Sequence, residues 1–469
     1  MSPSSRARRE RDRDRRVFTP RRVRRIEGGI LLIVAVVALI MVMLRPRLAD
    51  GEQLCIACGP NPAVDGIVHV LLFIPIGAGL ALFGTRFVTA VLIGAAAAII
   101  VETLQLVLPL GRVATIVDLA TSVVGTAIGF HVALRRRALV YPRSTAALRY
   151  TTRLAVAWLV AMIVSAFALL PSVPDGELVG QWRPQLAPFE RYGGRVLGAH
   201  VSGVPLPDGP LDQDVRLAAT MRQGLRVEAT VEPAGVPLGV APILRLVNAD
   251  SAELFLLAQQ GDALLFRSRV RGTALGLVTP TVIMPDAMSR LIVGDRRTIV
   301  ANGRREHGEL RVGARGGDAV LPLHTASGWL LFIPAASVLQ DSSDLVSAIW
   351  IGAPLFIAAY WAGRRARRRA RRAGDVMRMR GAGGRILATL PPLFGVTAVG
   401  LAGVSALFGL SQPPWGVWVG AAAAIGSGLI LGATLALSHD DRAHGSTRTE
   451  TTTAEGLRRP GAQEAAVGS

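Results

Sequence analysis

Six residues in one short stretch of this 469-residue chain carry most of its chemical potential: Asp65, His69, Glu102, Gln105, Arg112 and Asp118. An imidazole among carboxylates can move a proton, with His69 as general base and Glu102 or Asp118 orienting it. Their surroundings make them unusual, because they lie in or beside apolar runs that read as membrane spans, where each charge is costly. Asp65 and His69 stand at i, i+4 and Glu102 and Gln105 at i, i+3, so each pair occupies one helix face. Two arrangements satisfy such groups. They converge on a polar pocket, or Arg112 holds Asp118 or Glu102 as an interhelical clamp.

The elements that must position them are eight apolar windows, at roughly 29–45, 66–84, 88–108, 116–134, 154–172, 343–362, 386–408 and 415–437, each close to the ~20 residues a span requires. Composition agrees, with 51% hydrophobic and 18% charged residues. All 52 basic residues are arginine, and their placement sets an orientation. In an inside-first topology the cytoplasmic segments 1–28, 85–87, 135–153, 363–385 and 438–469 hold 32 Arg against 10 acidic residues, while the rest holds 20 against 23. This is the positive-inside asymmetry, and it predicts both termini in the cytoplasm. All six polar residues then share the outer third of the membrane, Glu102 about 9 Å below the outer end of its span.

The blocks RARRERDRDRR (6–16) and RRARRRARR (364–372) flank spans directly. Topology anchoring and attraction to anionic lipid headgroups account for them without nucleic acid. The first span lacks a small-residue cleavage pattern and is followed by Arg45-Pro46-Arg47, as in an uncleaved anchor. Gly77, Gly79, Gly125 and Gly129 are placed to let helices approach closely. The Thr- and Gly-rich tail, 438–469, reads as disordered.

The stretch 55–131 resembles the VanZ-like membrane family. The matching residues are Asp65-x-x-x-His69, Leu72-Phe73-x-Pro75-x-Gly77, Glu102-x-x-Gln105, Arg112, and Asp118 followed by Gly125-x-x-x-Gly129. With the first span included the resemblance covers about 28–134. It implies a bacterial cell-envelope protein, from a family named for low-level resistance to a glycopeptide antibiotic and without an agreed chemical activity. One departure is Ser122, where family members often carry Asn, so a role requiring a carboxamide is replaced by a single hydroxyl.

Cys55 and Cys58 form C-I-A-C in the first outer loop. The redox motif needs a βαβ context and a zinc site needs two further ligands, neither of which the sequence supplies. A local disulfide in an oxidising compartment is the preferred reading, with free thiols the alternative. No cofactor or metal is expected.

Residues 173–342 differ in texture, with 17 Arg balanced by 17 acidic residues. Alternating runs at 225–233, 241–248, 252–260, 263–271, 290–294 and 328–334, punctuated by Gly, Pro, Asn and Asp, predict an all-β sandwich. A hairpin is expected over 296–313 with Asn302-Gly303 at its turn. The strand rhythm is similar to laminin-G or concanavalin A-like jelly rolls over roughly 176–335. That resemblance implies glycan binding, through aromatics for stacking and Asp, Asn or Arg for hydroxyls, often with a calcium ion. Phe255, Phe266 and Phe332 lie in apolar runs and read as core. Trp182 and Tyr192, flanked by Arg183, Arg191 and Arg195, are the surface candidates, with a domain-packing role the equal alternative for both, and Asp250, Glu253 and Asp262 are the scattered acids.

The expected whole is a helical polytopic membrane protein of about eight transmembrane helices with an inserted extracytoplasmic, jelly-roll-like β-sandwich. Its parts are a basic segment 1–28, a four-helix VanZ-like domain 29–134, a basic loop 135–153, a fifth span 154–172, the β domain 173–342, three spans within 343–437 and the tail 438–469. Asp65, Gln105, Arg112, Ser122, Trp182 and Tyr192 are the expected binding residues, and His69, Glu102 and Asp118 the catalytic candidates. Partners are membrane lipids and an envelope glycan or lipid-linked precursor. The rivals to a binding module are an intramembrane enzyme and a transporter. A reporter fused after Arg372 should read cytoplasmic and one near Asn302 extracytoplasmic; the opposite result at either site would overturn the span count.

Overall fold

A computed structural model describes residues 20–43, 54–56, 59, 61–108, 114–185, 189–211, 224–288, 299–306, 308–314, 317–334, 336–372, 384 and 387–455. Eight helices among these are long and apolar enough to cross a membrane. They are α1 (Pro20–Met43), α2 (Pro62–Phe83), α3 (Phe87–Val107), α4 (Ile116–Val140), α5 (Ser144–Ala168), α6 (Ser343–Arg372), α7 (Leu390–Leu407, with a π-helical turn at Val399–Gly403) and α8 (Trp415–Glu455). Pro62 starts α2, where its missing N–H costs nothing, and Gly84 ends it in the left-handed region at φ 91°. Large apolar side chains such as Ile33, Met41, Leu71, Val88 and Leu92 stay exposed, as lipid-facing surfaces require. α8 continues as helix through 438–455, where composition predicts disorder. A transmembrane helix is already nucleated, so adding residues to its end is cheap.

Two compact units divide the described elements. The first holds α1–α4 and the strands, within 1–141, 162–346 and 401–413; the second lies within 142–161, 347–400 and 414–469. In the second, Gly363, Gly428 and Gly432 meet backbone or side-chain atoms so closely that a Cβ would collide. That unit also contains a cavity of about 670 Å³, lined by Leu148, Val156, Leu159, Leu393, Arg365 and Arg369 among others.

In the first unit α2 and α4 touch backbone to backbone. A Cβ on Gly77 would strike the carbonyl of Thr126, on Gly129 that of Ile74, and on Gly125 that of Val70. Around this contact Phe73, Ile76, Leu80, Ala90, Ala98, Val101 and Phe130 pack with Ala35, Leu39 and Met43 of α1. The two ends of the bundle differ in charge. Arg24, Arg25, Arg136 and Arg137 surround one end, where Arg136 pairs with Glu27 at 2.7 Å. Asp65, Glu102 and Asp118 sit at the other, where a two-residue parallel ladder joins β1 (Leu54–Cys55) to β2 (Ala114–Thr115).

The β domain is a two-sheet antiparallel sandwich. One sheet runs in the order β11 (Thr281–Met284), β10 (Ala263–Ser268), β9 (Glu253–Gln260), β8 (Val240–Asn248), β3 (Leu178–Trp182) and β6 (Gly209–Pro210). The other runs β14 (Gly317–Pro322), β13 (Glu309–Ala314), β12 (Ile299–Glu306), β7 (Leu225–Glu232), β4 (Arg195–Val201) and β5 (Val204–Pro205). β7 shows the alternation that builds such a core: Leu225, Val227, Ala229 and Val231 are buried, while the residues between them are not. Phe255 and Phe266 are fully buried with ring centroids 6.4 Å apart, as expected.

Two sequence expectations are corrected here. Asn302-Gly303 is not a turn but the middle of β12, and the chain reverses where Glu306 pairs with Glu309, beside Gly308 at φ 76°. Gly303 is needed for another reason, since a Cβ there would drive into the Phe266 ring across the sandwich. The run 328–334 is not a strand; Thr325–Leu331 form a 3₁₀ helix, whose Thr325 Oγ1 meets Ser405 Oγ at 3.2 Å. Its apolar side chains are buried on every side, a pattern that does not distinguish a short strand from a buried helical turn. The expected run 290–294 lies outside the described residues.

Because Phe266 occupies the space beside Gly303, Gly303→Val should destabilise the protein by about 1–3 kcal/mol through overpacking. Gly198→Ala, in the same sheet with open space around it, should stay within about 0.5 kcal/mol. Thermal unfolding of the detergent-solubilised protein measures both.

Candidate functional site

Three helices deliver the site. α4 begins with Thr115 as N-cap, whose Oγ1 accepts the amide of Asp118 at 3.0 Å. The Thr115 amide in turn donates to Glu102 Oε2 at 3.2 Å, seating that α3 carboxylate on the positive end of α4. One turn into α4, Ser122 Oγ donates to the carbonyl of Asp118 at 2.7 Å and meets His69 Nδ1 of α2 at 3.1 Å. A hydroxyl has one hydrogen, so the assignment that satisfies both contacts makes His69 Nδ1–H the donor. In a neutral ring this assignment leaves the lone pair on Nε2. It faces Asp118 Oδ2 at 3.9 Å, and Phe73 stacks near-parallel to the imidazole at 6.5 Å between centroids.

His69, Glu102 and Asp118 each offer one ligand atom, all within 4.8 Å of one another. His69 and Asp118 are buried at 3% and 6% exposure, Ser122 is fully buried, and Glu102 is half-buried. By composition Ser122, His69 and Asp118 suggest a nucleophilic triad. Burial and the commitment of the Ser122 proton to a backbone carbonyl argue against that, and leave Ser122 as the group that orients His69. What the cluster presents is an imidazole nitrogen beside two carboxylates, a set able to accept a proton or hold a cation.

The remaining predicted residues separate by position. Asp65 lies one turn before His69 in the first turn of α2, half-buried. Gln105 turns away from the cluster, its amide donating to the Met43 carbonyl at 3.2 Å at the end of α1. Its burial is explained by closing a helix terminus. Arg112 and Cys58 lie outside the described residues, and so do the Arg112 clamp and the disulfide expected of them. Thr115 was missed by sequence reasoning, although a Thr three residues before Asp118 is the spacing of a capping box.

In the β domain Trp182 is half-buried at a strand end, its amide accepted by Asp208 Oδ1 at 2.9 Å. Of the two roles open to Tyr192, surface and packing, the structure shows packing: it is 1% exposed, and burial pushes its phenol up to about 12. The aromatic ring outweighs the flanking arginines, because burying it removes far more apolar surface from water. Glu253 is engaged by Arg245 at 3.3 Å and by Arg267 Nη2 at 2.8 Å. Arg305 is buried as well, donates to the Leu169 carbonyl at the end of α5, and is pushed down to about 10 by desolvation.

Residues 22–139 match the sequence model of the VanZ/LLP1 family, a region that spans α1 to α4 and includes every residue of the cluster. No curated protein and no solved structure matches the chain.

If Gln105 serves the α1 terminus alone, Gln105→Leu should lower unfolding stability by about 1 kcal/mol, one hydrogen bond's worth. Glu102→Gln, which keeps an acceptor oxygen for the Thr115 amide, should be better tolerated in the same assay than Glu102→Ala.

Proposed function

We propose that this VanZ-like membrane protein works in a bacterial cell envelope. There it binds or handles an envelope glycan or lipid-linked precursor at the outer membrane surface, and thereby contributes to glycopeptide tolerance. The observation that carries this reading is the junction of the sandwich with the polar end of the bundle. A Cβ on Gly276, at φ 76°, would lie 2.9 Å from Pro62 Cγ, in the first turn of α2 and two turns before His69. A lipid-linked precursor carries a headgroup at the membrane surface and sugar above it, and the two neighbouring parts stand at those two levels. The arginine asymmetry supports assigning this end to the outside. Trp182, beside Asp208, supplies an aromatic face and a carboxylate of the kind sugars engage.

A catalytic version of the same reading draws on His69, whose Nε2 lone pair beside two carboxylates has the geometry of a general base. It differs from simple binding only in requiring turnover of the bound lipid.

Glu102→Gln and His69→Ala, expressed at wild-type levels, should each abolish the envelope contribution, read as glycopeptide tolerance and envelope integrity. The double variant should be no worse than either single one, because residues of one site are not additive. Normal tolerance in both single variants would remove the functional reading and leave the cluster as packing.

A further inference from the structure

We propose that His69, Glu102 and Asp118 bind a single divalent transition-metal ion of the zinc or manganese class. Three ligand atoms within 4.8 Å of one another need to close by only about an ångström to surround one ion at the ~2.0–2.2 Å ligand distances of zinc. The separation of His69 Nε2 from Asp118 Oδ2 is informative. At 3.9 Å it is too long for a charge-assisted hydrogen bond, which closes to about 2.7–2.9 Å. It is close to the spacing of two donors that share an ion.

The outer contacts are those of a metal site. A ligating histidine is held by a hydrogen bond from its other ring nitrogen, and ligating carboxylates accept hydrogen bonds of their own. Ser122 holds Nδ1 at 3.1 Å, which directs Nε2 to the carboxylates, and the Thr115 amide holds Glu102 Oε2 at 3.2 Å. Among the described residues the set is one imidazole and two carboxylates, which favours zinc or manganese over softer ions, and the imidazole disfavours magnesium and calcium. Three protein ligands among the described residues match the ligand number of catalytic rather than structural zinc.

No short sequence motif announces this set, because the ligands come from three helices. The proposal deepens the function proposed above, since an open divalent ion is the group that would hold a lipid-linked phosphate. Its test reads metal alone, so either can fail without the other.

The full-length, tag-free protein in detergent is stripped of metal and dialysed against Zn²⁺ or Mn²⁺, and bound metal is counted by mass spectrometry. Wild type should hold one equivalent per chain. His69→Ala and Asp118→Asn should retain less than about a tenth of it, while Gln105→Leu and His131→Ala retain all of it. Ser122→Ala keeps every ligand and should weaken affinity about 10- to 100-fold, which decides the matter if a ligand variant fails to fold. The proposal is overturned if wild type holds no stoichiometric ion. It is equally overturned if the folded ligand variants hold as much as wild type, or if Ser122→Ala binds with unchanged affinity.

Discussion

The polar end of the bundle depends on how closely α2 and α4 approach. Lipid gives no hydrophobic reward for bringing helices together, so association rests on packing, and small residues permit the closest packing. Gly77, Gly125 and Gly129 put backbone against backbone at three levels of this pair. Only at that separation can a side chain as short as Ser122 reach across to His69. The single hydroxyl of Ser122 is therefore matched to the gap. A longer residue would need a wider one.

A second constraint is that every helix end at this surface must satisfy its own polar groups. α3 supplies two of the remedies: Gln105 closes on the Met43 carbonyl, and Glu102 receives the Thr115 amide. The polar residues of the VanZ-like region thus divide by task. Gln105 and Thr115 terminate helices, Ser122 orients, and His69, Glu102 and Asp118 face one another.

The β domain belongs to the same compact unit as α1–α4, and buried polar contacts join it to the segments that flank it. Arg305 reaches the carbonyl of Leu169, where α5 ends, and Thr325 joins Ser405. A buried guanidinium on the last carbonyls of a helix is stabilised by the helix dipole. At the first turn of α2, Gly276 of the same unit lies against Pro62.

The amino-acid sequence by itself determined the eight apolar helices long enough to span a membrane, because twenty consecutive apolar residues have few alternatives, and the strands β7 to β10, because short apolar runs bounded by Gly, Pro, Asn and Asp mark strands, with period-two alternation added in β7. It also placed His69, Glu102 and Asp118 at one depth, since helical rise converts residue number into height. Tertiary structure alone decided what each side chain meets. Asn302-Gly303 carries a turn signal yet lies mid-strand, because Phe266, from a different strand, needs the space of the missing Cβ. Tyr192, open to a surface or a packing role, is buried, and Gln105 looked like a pocket residue and serves α1. Local periodicity reports which face of an element is apolar, whereas the partner of a polar group is set by the rotation and approach of a second element distant in the chain.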